Sequence, residues 1–236
     1  MPGNTTEIRA EFRELGSADI AIHSQRFFKT GAGEYGEGDR FLGIRVPVVR
    51  QFVRTHRGIP LRTVVSFLRS GFHEERMFGL LALVDRYRRG DDGMKQRVYE
   101  LYMDNLDYVN NWDLVDSTAH LIVGPQLQDR SRRALYRLAR SRDIWKRRVA
   151  IMATFHYIRG EDYADTLALA ELLLDDPHDL MHKAVGWMLR EVGNRDLATE
   201  ERFLRQHYKK MPRTMLRYAI EKFPEQRRQA YLQGRM

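Results

Sequence analysis

The stretch WDLVDSTAHLI, residues 112–122, is an apolar helical segment with a tryptophan and two aspartates near its start. Three other stretches share its character: MFGLLALVDRY from Met77, RVAIMATFHYI from Arg148 and KAVGWMLREVG from Lys183. Their starts are separated by 35, 36 and 35 residues, and each follows a less apolar helical segment. Helix pairs of this length cannot bury their apolar faces singly and do so by stacking on the next pair, which is the mark of HEAT-like repeats. The expected fold is therefore all-α, an α-solenoid of HEAT-like antiparallel helix pairs with a concave basic face, in a single domain over residues 1–236.

Most of the remaining chain has helical periodicity, and no alternating or β-branched run argues for a sheet. TTEIRAEFRELG and SADIAIHSQRFF open it, each with Ser or Thr as the expected cap. After a Gly-rich loop, Pro47 suits the first turn of the next helix. Further helices are expected near residues 60–70, 73–89, 92–104, 111–123, 130–141, 143–158, 161–175, 178–193, 198–210 and 213–222, with a short one after Pro224. RRGDDG, VGPQ, DDPHD and KKMPR read as short connectors, as antiparallel neighbours require.

The absence of cysteine excludes disulfides and thiolate zinc sites. No apolar run approaches the ~18 residues of a membrane span, and MPGNTTEIRAEF lacks the basic-then-apolar layout of a secretory leader. A soluble protein of the cytoplasm, with no membrane association, is expected; the Asn4-Thr5-Thr6 sequon then carries no meaning. The net charge of +8 and a pI near 9.8 favour polyanionic partners. The charge is concentrated. DRSRRALYRLARSRDIWKRR holds Arg130, Arg132, Arg133, Arg137, Arg140, Arg142, Lys146, Arg147 and Arg148, and HYKKMPRTMLRY adds Lys209, Lys210, Arg213 and Arg217. Basic residues interleaved with Tyr and Trp suit a surface that tracks phosphates.

The repeat register predicts a site. Residues 112, 148 and 183 occupy one row of successive helices, and 116, 152 and 187 the row one turn further on. Trp112, Asp116, Arg148, Lys183 and Trp187 should then converge on one stretch of the concave surface. Each has an ordinary alternative. The tryptophans could be core, Arg148 could be solvated, and Asp116 could form a structural ion pair with Arg148 or another base. Asp113, in the first helical turn, complements the helix dipole. Asp116 lies too deep for capping among Leu114, Val115, Ala119, Leu121, Ile122 and Val123, and a buried carboxylate needs a partner or a purpose.

Other motifs carry less. GAGEYG (31–36) matches G-x-G-x-x-G, but no strand precedes it, and Glu34, Glu37 and Asp39 would repel a pyrophosphate. His73-Glu74-Glu75 lacks the second histidine of a zincin, and the eight histidines are scattered. No metal and no cofactor is expected.

On FLGIRVPVVR (41–50), WDLVDS, IWKRRVAI and KAVGWMLRE, the chain resembles the AlkD family of bacterial DNA alkylation-repair glycosylases, which are built of HEAT-like repeats. By the order of the motifs, the resemblance places the catalytic aspartate on Asp116, its neighbouring tryptophan on Trp112, the phosphate-facing arginine on Arg148 and the second site tryptophan on Trp187. Lys146, Arg147 and Lys183 stand beside these as further candidates for phosphate contact. KTGAGEYGEGDR (29–40) is a longer, Gly-rich loop than some relatives have, and Phe27 stands where some carry Tyr. The resemblance implies hydrolysis of the N-glycosidic bond of N3- or N7-alkylated purines in double-stranded DNA, by a monomer, without flipping the lesion into a pocket. The competing expectations are a non-catalytic DNA-binding or damage-sensing repeat protein and a protein-interaction scaffold.

Overall fold

The computed structural model describes residues 4–236; Met1, Pro2 and Gly3, at the head of the segment read for a leader, lie outside them. Among the described residues there is no strand, only an isolated bridge between Arg40 and Phe72. The chain is all-helical, as the periodicity predicts, and is consistent with an α-solenoid of helical repeats. It divides into two compact units, one ending at Thr118 and the other beginning at Ala119.

The first unit holds α1 (Thr5–Glu14), α2 (Ala18–Phe27), α3 (Val46–Thr55), α4 (Leu61–Leu68), α5 (His73–Arg89), α6 (Asp92–Asp104) and α7 (Trp112–Asp116). Asn4 caps α1 by accepting from the Thr6 and Glu7 amides, so the expected Ser/Thr cap is an Asn. Ser17 occupies the cap position of α2 without a side-chain bond to the helix. α5 is the axis of the unit, buried for most of its length and packed against α3, α4, α6 and α7. Around Phe78 of α5, the rings of Phe12, Phe52 and Phe67 close at 5.4, 5.2 and 4.7 Å. Aromatic groups at these separations add to their area burial.

The head of α5 is polar and nonetheless buried. Glu75 lies between Arg9 (3.1 Å) and Arg13 (2.6 Å) of α1. The Glu74 carboxylate accepts from the amides of Leu42, Gly43 and Ile44 at 2.8, 2.8 and 3.2 Å. Gly43 is required there: its φ is +78°, and a Cβ would lie 2.0 Å from the Ser17 carbonyl oxygen.

The second unit holds α8 (Ala119–Gln126), α9 (Arg133–Ala139), α10 (Ile144–Ala153), α11 (Phe155–Arg159), α12 (Ala164–Leu172), α13 (Asp179–Gly193), α14 (Leu197–His207), α15 (Arg213–Ala219) and α16 (Glu225–Leu232). α8, α10, α13 and α15 are successive neighbours, flanked by α9, α12 and α14. This is the stacking the repeat period implies. Gly186 lets α13 lie against α15, since a Cβ would come within 2.4 Å of the Met215 carbonyl oxygen.

Two helices expected to be continuous are broken. The 111–123 segment divides at Ser117–Thr118, and the 143–158 segment divides at Thr154. Hydroxyls bonding back to the preceding turn accompany both breaks: Ser117 to the Asp113 carbonyl, Thr118 to Leu114 and Thr154 to Ile151, at 2.6, 2.6 and 2.7 Å. VGPQ, expected to connect, instead completes α8, which carries Pro125 in its last turn.

Candidate functional site

In the first unit, the site residues ride on a five-residue helix, α7. Asn111 starts it by accepting from the Trp112 amide at 2.8 Å. Trp112 and Asp116 lie four residues apart and so share one face. Both are half-buried. Asp116 is therefore neither in mid-helix nor fully buried, as the continuous-helix reading had it, but is the last residue of α7. A carboxylate at a helix C-terminus is opposed by the helix dipole, so capping does not account for it. Its charge reaches the interior: burial chiefly, and Asp116 in addition, push the Tyr102 phenol up, against the Thr118 hydroxyl 3.0 Å away.

Trp112 is not free-standing. Phe28 stacks on it at 5.4 Å and 25°, and Phe27, 58% exposed, meets it edge-on at 5.9 Å. Phe28 rests in turn on Phe41 (5.1 Å) and His73 (4.9 Å). His73 is 3% exposed and lies between two carboxylates, its Nδ1 3.0 Å from Asp39 and its Nε2 2.8 Å from Asp113. Burial opposes a charged imidazole, but Asp113 and Asp39 prevail and push it up to about 9. Asp39, which burial alone would raise, is held below the usual carboxylate range by His73 and by the Arg76 guanidinium at 2.7 and 2.8 Å.

His73 and Arg76, at the head of α5, thus build the ground beneath Trp112, a role the sequence reading did not assign. The usable signal was the run of ionisable residues heading an apolar helix, where each buried charge must find a partner. Asp113 does more than complement a dipole, for it ties α7 to α5. The Gly-rich loop caps its own amides. Glu34 and Glu37 accept from the Gly31 and Gly33 amides, both at 2.9 Å, and so occupy donors a phosphate would need.

In the second unit, Arg148 is 4% exposed, with Nη1 donating to the Leu180 carbonyl of α13. It is not a solvated arginine. Arg147 binds Asp176 through Nε (2.6 Å) and Nη2 (3.2 Å), and the Ser141 and Arg142 carbonyls through Nη1. Lys146 is half-buried on α10. Lys183 and Trp187 share a face of α13. Lys183 pairs with Asp179 at 2.8 Å, and the Trp187 indole donates to Glu191 at 3.2 Å. Trp187 is half-buried, with Phe155 6.1 Å away.

The basic stretch, continuous in sequence, is divided in space. Arg132 is bound by Asp162 and Asp165 at 2.7 and 2.6 Å, and Arg147 by Asp176. Arg133 and Arg137 of α9 stay exposed, with Arg142 beyond them. Lys209, Lys210, Arg213 and Arg217 are also exposed.

A sequence model of the family described as DNA alkylation repair enzyme matches residues 8–223. No curated protein matches the chain. Among solved structures, the fold is similar to that of a protein described as a predicted DNA alkylation repair enzyme from Enterococcus faecalis, with a TM-score of 0.69 at 13% identity over 89% of this chain and 98% of that one.

Proposed function

This chain belongs to the DNA alkylation repair enzyme family, and we propose that within that general role it is a monofunctional DNA glycosylase for cationic alkylpurines such as 3-methyladenine and 7-methylguanine. The observation that carries the reading is α7: Trp112 and Asp116 present an aromatic face and a carboxylate one turn apart, both half-buried, on a helix that gains nothing from an acid at its end.

Alkylation at N3 or N7 leaves the purine positively charged and a good leaving group. The bond from C1′ to the purine nitrogen breaks with its electron pair going to the base, which departs neutral. Positive charge then develops on the deoxyribose, a water oxygen bonds to C1′, and that water loses a proton. Asp116 stabilises the cationic sugar and orients the water. At ~4 Å and an effective dielectric of ~20, one carboxylate contributes about 4 kcal/mol, roughly three decades in rate. The face of Trp112 adds cation–π stabilisation of ~0.5–2 kcal/mol, and Trp187 is the second site tryptophan on the motif resemblance. Arg148, Lys183, Arg147 and Lys146 belong to the DNA-backbone contacts, the first on the motif resemblance. The lesion is processed without extrusion into a pocket, and a monomer suffices for all of these roles.

The test is excision from methylated duplex DNA by wild type and Asp116→Asn. Base release by wild type and its loss in the variant, with duplex binding kept, supports the glycosylase. Binding without release by either protein sinks it and leaves a non-catalytic DNA-binding repeat protein.

A further inference from the structure

α7 is too short to hold itself in place. Five residues form about one turn, and an isolated turn is unfavourable because nucleation fixes several dihedrals for one hydrogen bond. Its orientation must come from what it touches. Its C-terminal end is fastened by Thr118, which bonds to the Leu114 carbonyl and lies 3.0 Å from the Tyr102 hydroxyl. Besides the Asn111 cap and Phe27 at the edge of Trp112, its N-terminal turn is fastened at two points that lead to one side chain. Asp113 meets Nε2 of His73 directly, and Trp112 reaches the same imidazole through Phe28, which lies 4.9 Å from it. The other ring nitrogen meets Asp39, at the far end of the Gly-rich loop, and the His73 amide donates to the Arg40 carbonyl at 2.8 Å. His73 therefore joins three segments distant in sequence: the loop 29–40, the head of α5, and α7.

We propose that His73 is a positioning residue for the candidate catalytic helix, its imidazole between Asp39 and Asp113 setting the orientation in which α7 presents Trp112 and Asp116. The chemical part of this inference rests on the glycosylase reading above; the hold on α7 does not. On the same reading, undamaged duplex is held by Arg148, Lys183, Arg147 and Lys146, so weakening the clamp acts on the chemical step. A misplacement of an ångström at a reacting centre costs on the order of 100-fold. Glu75 supplies the comparison. It is equally buried on the same helix, but its carboxylate is held by Arg9 and Arg13 of α1.

The experiment compares wild type, His73→Gln, Asp113→Asn and Glu75→Gln, each well below its own melting temperature. Three quantities are measured: the single-turnover rate of 7-methylguanine release, the Kd for unmodified duplex, and the indole N–H resonances of the three tryptophans. For His73→Gln and Asp113→Asn we expect a rate lower by about 10–100-fold, a Kd within about two-fold of wild type, and a shift of the Trp112 resonance with those of Trp145 and Trp187 in place. Glu75→Gln, at matched loss of stability, should keep the wild-type rate and the Trp112 resonance. Equal slowing in Glu75→Gln overturns the proposal, because the effect is then general destabilisation. An unmoved Trp112 resonance in both clamp variants overturns it as well. Wild type that releases no base while the Trp112 resonance still follows His73 sinks the glycosylase reading and supports the hold on α7. Should His73→Gln fail to fold, Asp113→Asn carries the same test from the α7 side.

Discussion

Trp112 lies flat against Phe28, ring centroids 5.4 Å apart and planes inclined by 25°, so one face of the indole is committed to the protein. Only the other face is left for a ligand. Phe28→Leu keeps apolar volume beneath the ring and should change stability by less than about 1.5 kcal/mol. It removes the flat platform, and base release should slow by about 10-fold, a loss of about 1.4 kcal/mol of transition-state stabilisation. Urea unfolding beside single-turnover excision measures both.

Asp116→Asn retains shape and removes charge. Excision of 7-methylguanine should fall by about three decades, while fluorescence anisotropy with methylated duplex gives an affinity close to wild type. A variant that still cleaves at the wild-type rate would end the case for this carboxylate.

Lys183→Ala should reduce the magnitude of the salt slope of duplex binding by about 1, as removal of one phosphate contact does. Arg148→Ala should do the same and also destabilise the fold, since it empties a buried site bonded to the Leu180 carbonyl. Titrations at several salt concentrations, with thermal melts alongside, separate the two effects.

His73 imposes a pH dependence whose sign follows from its upward shift to about 9 from an ordinary 6.5. The folded state favours the charged imidazole, faced by Asp39 and Asp113, with Arg76 behind Asp39. Its contribution is complete below pH 6.5 and disappears as pH rises through about 9. Melting temperature should therefore decline over this range in wild type and decline less in His73→Gln.

Glu200 acts in the second unit with the opposite chemistry and the same direction. Its burial, aided by Glu201 and opposed by Arg190, pushes the carboxyl up to about 9 from 4.5, so the folded state holds it protonated. That contribution is complete below pH 4.5 and is lost as pH rises through about 9. Glu200→Gln mimics the protonated acid and should raise the melting temperature at pH 7–9 by several degrees, on a scale of ~2–4 °C per kcal/mol.

Much of the fold is legible in the chain. α5 and α6 were readable to their end residues because long periodic runs are bounded by turn sequence, and the 35-residue recurrence anticipates the neighbouring α8, α10 and α13. The breaks at Ser117–Thr118 and Thr154 were not readable, since a hydroxyl turned back onto its own helix leaves the apolar period unchanged. Within the site, the shared face of Trp112 and Asp116 follows from spacing alone. The layer under Trp112 does not, because Phe28, Asp39 and His73 meet only in the folded unit. For the same reason the acids that bind Arg132 and Arg147 could not be paired with them from a linear charge count.

Glu74 gathers the amides of Leu42, Gly43 and Ile44 onto one buried carboxylate, and this makes an irregular segment behave as a strand would in a sheet. Exchange with deuterated solvent should be slow at these three positions, although they belong to no helix. The tether between α2 and α3 thus ends in a stretch whose amides are withdrawn from water before the next helix begins.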